Sequence, residues 1–155
     1  MSTTAATSGT DVEIRKASSA DVDGVFALIE QLADTYEVDR ASFDAAYADA
    51  LKDPDRSVLL IAELDGRVAG YALMIVSRLL YTRVDSAQIQ ELIVDESLRG
   101  RGIGSRLVAA VEDICFQRGL NQLTVASSRT PAFYDRLDYR STADFLKKVF
   151  FSHRD

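Results

Sequence analysis

The stretch LIVDESLRGRGIGSRLVAAVEDIC, residues 92–115, passes from an apolar run through a glycine- and arginine-rich turn into a helical pattern. Gly100, Gly102 and Gly104 stand at every second position. Glycine is used where φ must be positive or where a ligand must approach the backbone closely. A strand that stops, a turn with free amides and a helix that starts at once bring unpaired N–H groups and the positive end of a helix dipole to one point. Such a point attracts an anion, most naturally phosphate or pyrophosphate. A Rossmann fingerprint beginning at Gly100 and Gly102 needs glycine at position 105, where Ser105 stands, and the Gly-Lys-Ser/Thr ending of a P-loop is absent. A bare corner without a ligand is the plainer alternative, and three glycines with Arg99 and Arg101 disfavour it.

The elements around this turn follow from periodicity. VEIRKA (residues 12–17) alternates at period two and predicts a strand. Ser18 and Asp21 have capping-box spacing, and Val22, Val25, Phe26, Ile29 and Leu32 continue at helical spacing to about Tyr36. A second helix is expected over residues 41–52. Residues 57–64 and 67–77 flank Asp65-Gly66 and predict a tight antiparallel hairpin. A loop over residues 78–86, a strand over 87–94, a helix over 102–118 closed by Gly119, and a strand in NQLTVAS (residues 121–127) come next. TPAFYDRL predicts a short helix with proline near its start, and YRSTADFLKKVFF (residues 139–151) one or two final strands. The result is a mixed α/β (α+β) layer: antiparallel strands first, then a parallel β-α-β crossover, with helices on both faces of a central mixed sheet.

Composition limits the chemistry. A chain of 155 residues is the size of one domain, expected over residues 11–155 after a disordered tail at 1–10. The tail has neither the basic nor the apolar region of an export signal, and no apolar run approaches the roughly 18 residues that span a bilayer. The expectation is therefore a cytoplasmic protein without a membrane partner. One cysteine, Cys115, and one histidine, His153 near the C-terminus, make a metal site or a histidine-based triad improbable. Catalysis would run on Glu, Asp, Tyr and backbone groups. A net charge of −6 argues against a nucleic-acid partner, which usually needs a basic face.

With these residues in view, the chain resembles the GNAT superfamily of acyl-CoA-dependent N-acyltransferases. The family's signature Gln/Arg-x-x-Gly-x-Gly/Ala is met by Arg99, Gly102 and Gly104, and AFYDRLDY (residues 132–139) resembles its later FYxxLGF-type element. The resemblance implies a GNAT-like fold and acetyl-CoA as acyl-donor cosubstrate. The segment Arg99, Gly100, Arg101, Gly102, Ile103, Gly104 and Ser105 would bind its pyrophosphate, and the backbone of Leu92, Ile93 and Val94 would pair with its pantetheine arm. It further implies that a neutral primary amine, on a small molecule or a peptide, attacks the thioester directly in a ternary complex. A backbone N–H near Leu92 or Ile93 would polarise the carbonyl. Homodimerisation is suggested by resemblance alone. A catalytically inactive acyl-CoA sensor of the same fold is the competing class.

Two proton transfers then need residues. An amine with a pKa of about 10.4 must lose a proton before attack, and Glu91 is the candidate base, directly or through water. Strict alternation places Glu91 with Ile89 and Ile93; a bulge, which the family typically has here, would re-aim it or Gln90. The departing thiolate needs a proton donor, and Tyr134 matches the family's tyrosine acid. Asp138 replaces the family's usual glycine before Tyr139, which bears on the local turn. Cys115 reads as a small buried hydrophobe. The acceptor pocket is expected from loops around residues 36–39 and 78–86.

Overall fold

The computed structural model describes residues 11–32, 37–127 and 131–151. The tail at 1–10, the expected end of the first helix with Tyr36, and His153 lie outside them. Strands β1 (Glu13–Lys16), β2 (Ser57–Leu64), β3 (Arg67–Ser77), β4 (Ser86–Val94) and β5 (Leu123–Val125) form one sheet in the order β1-β2-β3-β4-β5. The first four pair antiparallel and β5 pairs parallel to β4. Helices α1 (Val22–Glu30) and α2 (Arg40–Lys52) join β1 to β2, α3 (Ile103–Arg118) is the crossover from β4 to β5, and α4 (Pro131–Asp135) follows. Between Val125 and Ala126 the chain divides into two compact units. No helix among the described residues is long and apolar enough to cross a membrane.

Local chemistry explains the element boundaries. Asp65 and Gly66 both take positive φ, 51° and 75°, as a two-residue type I′ hairpin demands. Ser18 and Asp21 form the expected capping box, with the Ser18 N–H donating to Asp21 Oδ2 at 2.9 Å. α3 ends in a Schellman motif: Gly119 has φ 67°, and the Leu120 N–H donates to the Cys115 carbonyl at 3.0 Å.

Period two sorts β2 and β3 onto two cores. Leu59, Ile61 and Tyr71 pack with Val25 and Leu28 of α1 and Tyr47 of α2 on one face. α3 buries Ile103, Leu107, Val108, Val111 and Cys115 on the other, where it packs on β2, β3 and β4. Each such side chain is worth about 1.5–3 kcal/mol of burial. Gly70 sets how closely α3 approaches, because a Cβ there would lie 3.0 Å from the Ile93 carbonyl oxygen and 3.3 Å from Leu107 Cδ1. The start of α3 is thereby held beside the end of β4.

The final strands do not form: among residues 139–151 none is in a strand, and Phe145, Leu146, Val149, Phe150 and Phe151 are exposed. Aromatic and β-branched residues favour a strand only where a free edge and a covered face receive them.

Asp21 ties the first loop to the sheet. Arg15 of β1 donates to both its carboxylate oxygens at 2.8 Å and to Glu63 Oε1 of β2 at 3.0 Å. The Arg15 hydrogen bonds hold the Asp21 carboxyl below its ordinary value of 3.8, against the opposing effect of burial. A depressed carboxyl contributes stability that is present above its ordinary pKa and lost as pH falls through its folded one. Asp21→Asn is therefore expected to cost about 2 kcal/mol at neutral pH, roughly 4–8 °C in Tm for a domain of this size. Thermal melts over a pH series check this: the gap should close in acid, and a gap that persists there would assign the loss to packing.

Candidate active site

The register of β4 determines where Glu91 stands. Pairs with β3 run Gly70↔Val94, Tyr71↔Ile93, Ala72↔Leu92 and Leu73↔Glu91, then step to Met74↔Ile89. Gln90 is the extra residue of a β-bulge, and side chains on its two sides fall out of alternation. Ile89 does not share a face with Glu91 and Ile93, as strict alternation requires. It lies opposite Met74, whose Sδ is 3.5 Å from Cys115 Sγ of α3. Glu91 sits across from Leu73, which with Ile93 packs on the α1–α2 core. The Gln90 amide, instead of reaching away, donates to Gln88 Oε1 at 3.1 Å.

Glu91 is exposed, and one of its oxygens accepts a hydrogen bond from the Tyr71 hydroxyl at 2.9 Å. Tyr71 is 2% exposed. Its burial, then the nearby Glu91 charge and their hydrogen bond, push the phenol well above its ordinary value, so it stays a donor. No sequence signal pointed to Tyr71. Its partner is 20 residues away on a strand whose register the bulge shifts.

Beyond the bulge, β4 has an open side. β5 pairs with Ala87, Gln88 and Ile89 only, so Leu92, Ile93 and Val94 run on without a β5 partner among the described residues. That edge leads into a pinned approach loop. Asp95 caps the 3-10 turn Glu96–Leu98 by accepting from the Ser97 N–H at 2.9 Å, the Asp95 N–H donates to the Ala69 carbonyl at 2.9 Å, and Leu98 is buried.

The glycine turn follows. Gly100 and Gly102 take φ of 81° and 80°, and beyond their immediate chain neighbours nothing described lies within 4 Å of where a Cβ would stand on either. Their need for glycine is conformational, and the space beside them is open. Gly102 is the N-cap of α3 and supplies no side-chain hydrogen bond; the first intrahelical bond runs from the Arg106 N–H to the Gly102 carbonyl at 3.1 Å. The preceding amides, those of Ile103, Gly104 and Ser105, are the ones a helix start leaves without intrahelical acceptors. Arg99, Arg101 and Arg106 are exposed around them and make no ion pair among the described residues. Amides, helix dipole and guanidinium groups fit a pyrophosphate, and the free β4 edge fits an extended amide-bearing arm.

Tyr134 belongs to the second unit. Its ring meets Phe133 edge-on at 4.9 Å and Tyr139 at 5.7 Å, and burial raises its phenol pKa. Asp138 takes a left-handed φ of 67°, a conformation glycine adopts most readily, and the Tyr139 N–H closes on the Tyr134 carbonyl at 3.0 Å. The turn thus survives the substitution, since aspartate tolerates this conformation. Asp39, expected to border the acceptor, caps α2, accepting from the Ser42 N–H at 2.9 Å and its hydroxyl at 2.7 Å. Cys115 is buried and its thiol pKa is raised by burial, as for a packed hydrophobe.

The Acetyltransferase (GNAT) family matches residues 26–139. The chain is 34% identical over 134 residues to aminoalkylphosphonate N-acetyltransferase of Salmonella typhimurium, covering 84% of this chain and 86% of that protein. It is 30% identical over 120 residues to probable glucosamine 6-phosphate N-acetyltransferase 2 of Oryza sativa, covering 74% of this chain and 72% of that protein. The crystal structure of glucosamine-6-phosphate N-acetyltransferase from Arabidopsis thaliana superimposes with a TM-score of 0.79 at 23% identity, over 91% of this chain and 99% of that one. Sequence relatives, fold and glycine turn converge on one conclusion: the chain belongs to the GNAT family and is an acetyltransferase.

Proposed function

We propose that the protein transfers an acetyl group from acetyl-CoA to the primary amine of a small acceptor that carries a phosphonate or phosphate, by direct attack in a ternary complex. The observation that carries the donor half is the pair of left-handed glycines opening the start of α3 beside the unpaired edge of β4. The acceptor class rests on the two relatives, whose names both describe amines bearing a phosphorus oxyanion. We take residues 11–155 as one catalytic domain.

Bound acetyl-CoA supplies an acetyl group activated as a thioester. The amides of Ile103, Gly104 and Ser105, with Arg99, Gly100, Arg101 and Gly102, hold its pyrophosphate, and Leu92, Ile93 and Val94 hold its arm. Glu91 takes the acceptor's ammonium proton on the carboxylate oxygen that Tyr71 leaves free. A β4 amide near Leu92 or Ile93 stabilises the developing oxyanion. For the departing sulfur the family resemblance offers Tyr134 as proton donor; its phenol is protonated at neutral pH as any tyrosine is, and burial raises its pKa further.

The test is release of free thiol, with the acetylated amine identified by mass, from acetyl-CoA and paired acceptors: an aminoalkylphosphonate against the plain alkylamine, and glucosamine 6-phosphate against glucosamine. At least one phosphorus-bearing acceptor should exceed its partner about tenfold or more in kcat/KM. Equal rates within both pairs would remove the acceptor class, and no thiol release with any amine would remove the activity.

Tyr134→Phe deletes one oxygen and keeps the ring contacts to Phe133 and Tyr139. Turnover is expected to fall by a factor of about 10 to 1,000. An acyl donor whose leaving group has a lower pKa should recover part of that loss. Equal slowing of both donors with an early melt would make Tyr134 a structural aromatic.

A further inference from the structure

We propose that Tyr71 is a positioning residue for proton removal, its buried hydroxyl holding one oxygen of the Glu91 carboxylate so that the other faces the incoming amine. The inference rests on Glu91 being the base. An exposed glutamate on a strand samples several rotamers, and fixing one side-chain geometry has an entropic cost that some partner must offset. Here the partner is itself immobile. Tyr71 is 2% exposed within the cluster of Val25, Leu28, Tyr47, Leu59 and Ile61, so its hydroxyl is a rigid anchor on the neighbouring strand. The 2.9 Å bond joins Tyr71, which faces Ile93 in the register, to Glu91, which faces Leu73. It spans two adjacent pairs on one sheet face, immediately beyond the bulge at Gln90.

Glu91 has no other hydrogen-bond partner among the described residues. The bond therefore leaves its second oxygen available to a proton. The competing explanation is that Glu91 merely satisfies a buried phenol. That role would leave both turnover and stability of Tyr71→Phe close to wild type, because phenylalanine removes the donor and its demand together.

The experiment is a double-mutant cycle of Tyr71→Phe and Glu91→Gln, with kcat, KM for acetyl-CoA and thermal melting measured for each protein. Tyr71→Phe should lower kcat about tenfold, the scale of a loosened catalytic group, while KM for acetyl-CoA stays at the wild-type value. In the Glu91→Gln background the same change should leave kcat unaltered, since no base remains to be positioned. Wild-type kcat in Tyr71→Phe, with Glu91→Gln impaired, overturns the positioning role and leaves the base assignment standing. An equal fold-loss in both backgrounds also overturns it, making Tyr71 structural. Wild-type kcat in Glu91→Gln removes the base assignment itself, and the role of Tyr71 with it.

Discussion

Replacing Glu91 with glutamine is expected to lower turnover by about two to four orders of magnitude while acetyl-CoA affinity and folding remain at wild-type levels. The carboxamide has the shape of the carboxylate, and its oxygen still accepts the Tyr71 hydroxyl, so the side chain keeps its place. What disappears is the capacity to take a proton. A primary amine with a pKa of about 10.4 is almost wholly ammonium near neutrality, so the deficit should be greatest at low pH and shrink as the medium deprotonates the acceptor. Steady-state rates over a pH series, with calorimetric titration of the cofactor, separate this from a binding defect. Normal turnover at all pH values would move the role to water ordered by Gln90 or to the acceptor pocket.

Substitution of the turn glycines should weaken cofactor binding severely without unfolding the protein. Gly104 is the second residue of α3, and valine there places branched carbons among the amides of the helix start. The helix itself tolerates valine as well as glycine. Affinity for coenzyme A should fall about a hundredfold or more, equivalent to about 2.7 kcal/mol. Gly102 differs in mechanism. At φ 80° any side chain is strained, by roughly 1–2 kcal/mol. Gly102→Val should therefore melt earlier than Gly104→Val while losing comparable affinity. Calorimetric titration decides it, and unchanged affinity in a folded Gly104→Val protein would sink the assignment of the turn.

Much of this was legible in residues close together in the chain. The Asp65-Gly66 hairpin, the Ser18–Asp21 box, the glycine turn and the Gly119 cap depend on φ preferences and on contacts a few residues apart. A linear reading captures such signals because both partners lie in the same window. The strand-to-helix corner at residues 92–105 belongs with them, since free amides at a helix start require only the helix and the turn before it.

Other features depended on partners distant in sequence. The bulge at Gln90 comes from fitting β4 to β3, and it alone moves Ile89 away from the face of Glu91 and Ile93. The Tyr71 bond follows from the same register, and the open edge at Leu92, Ile93 and Val94 from β5 being only three residues long. Residues 139–151 have the composition of a strand and do not form one. Strand pairing is a property of two edges and a covered face, and a propensity written into one segment cannot specify the other. Local sequence therefore specified the glycine turn, the caps and the order of elements as far as α4. The tertiary structure alone decided how the proposed base is aimed, because that direction is set by the packing of one strand against its neighbour.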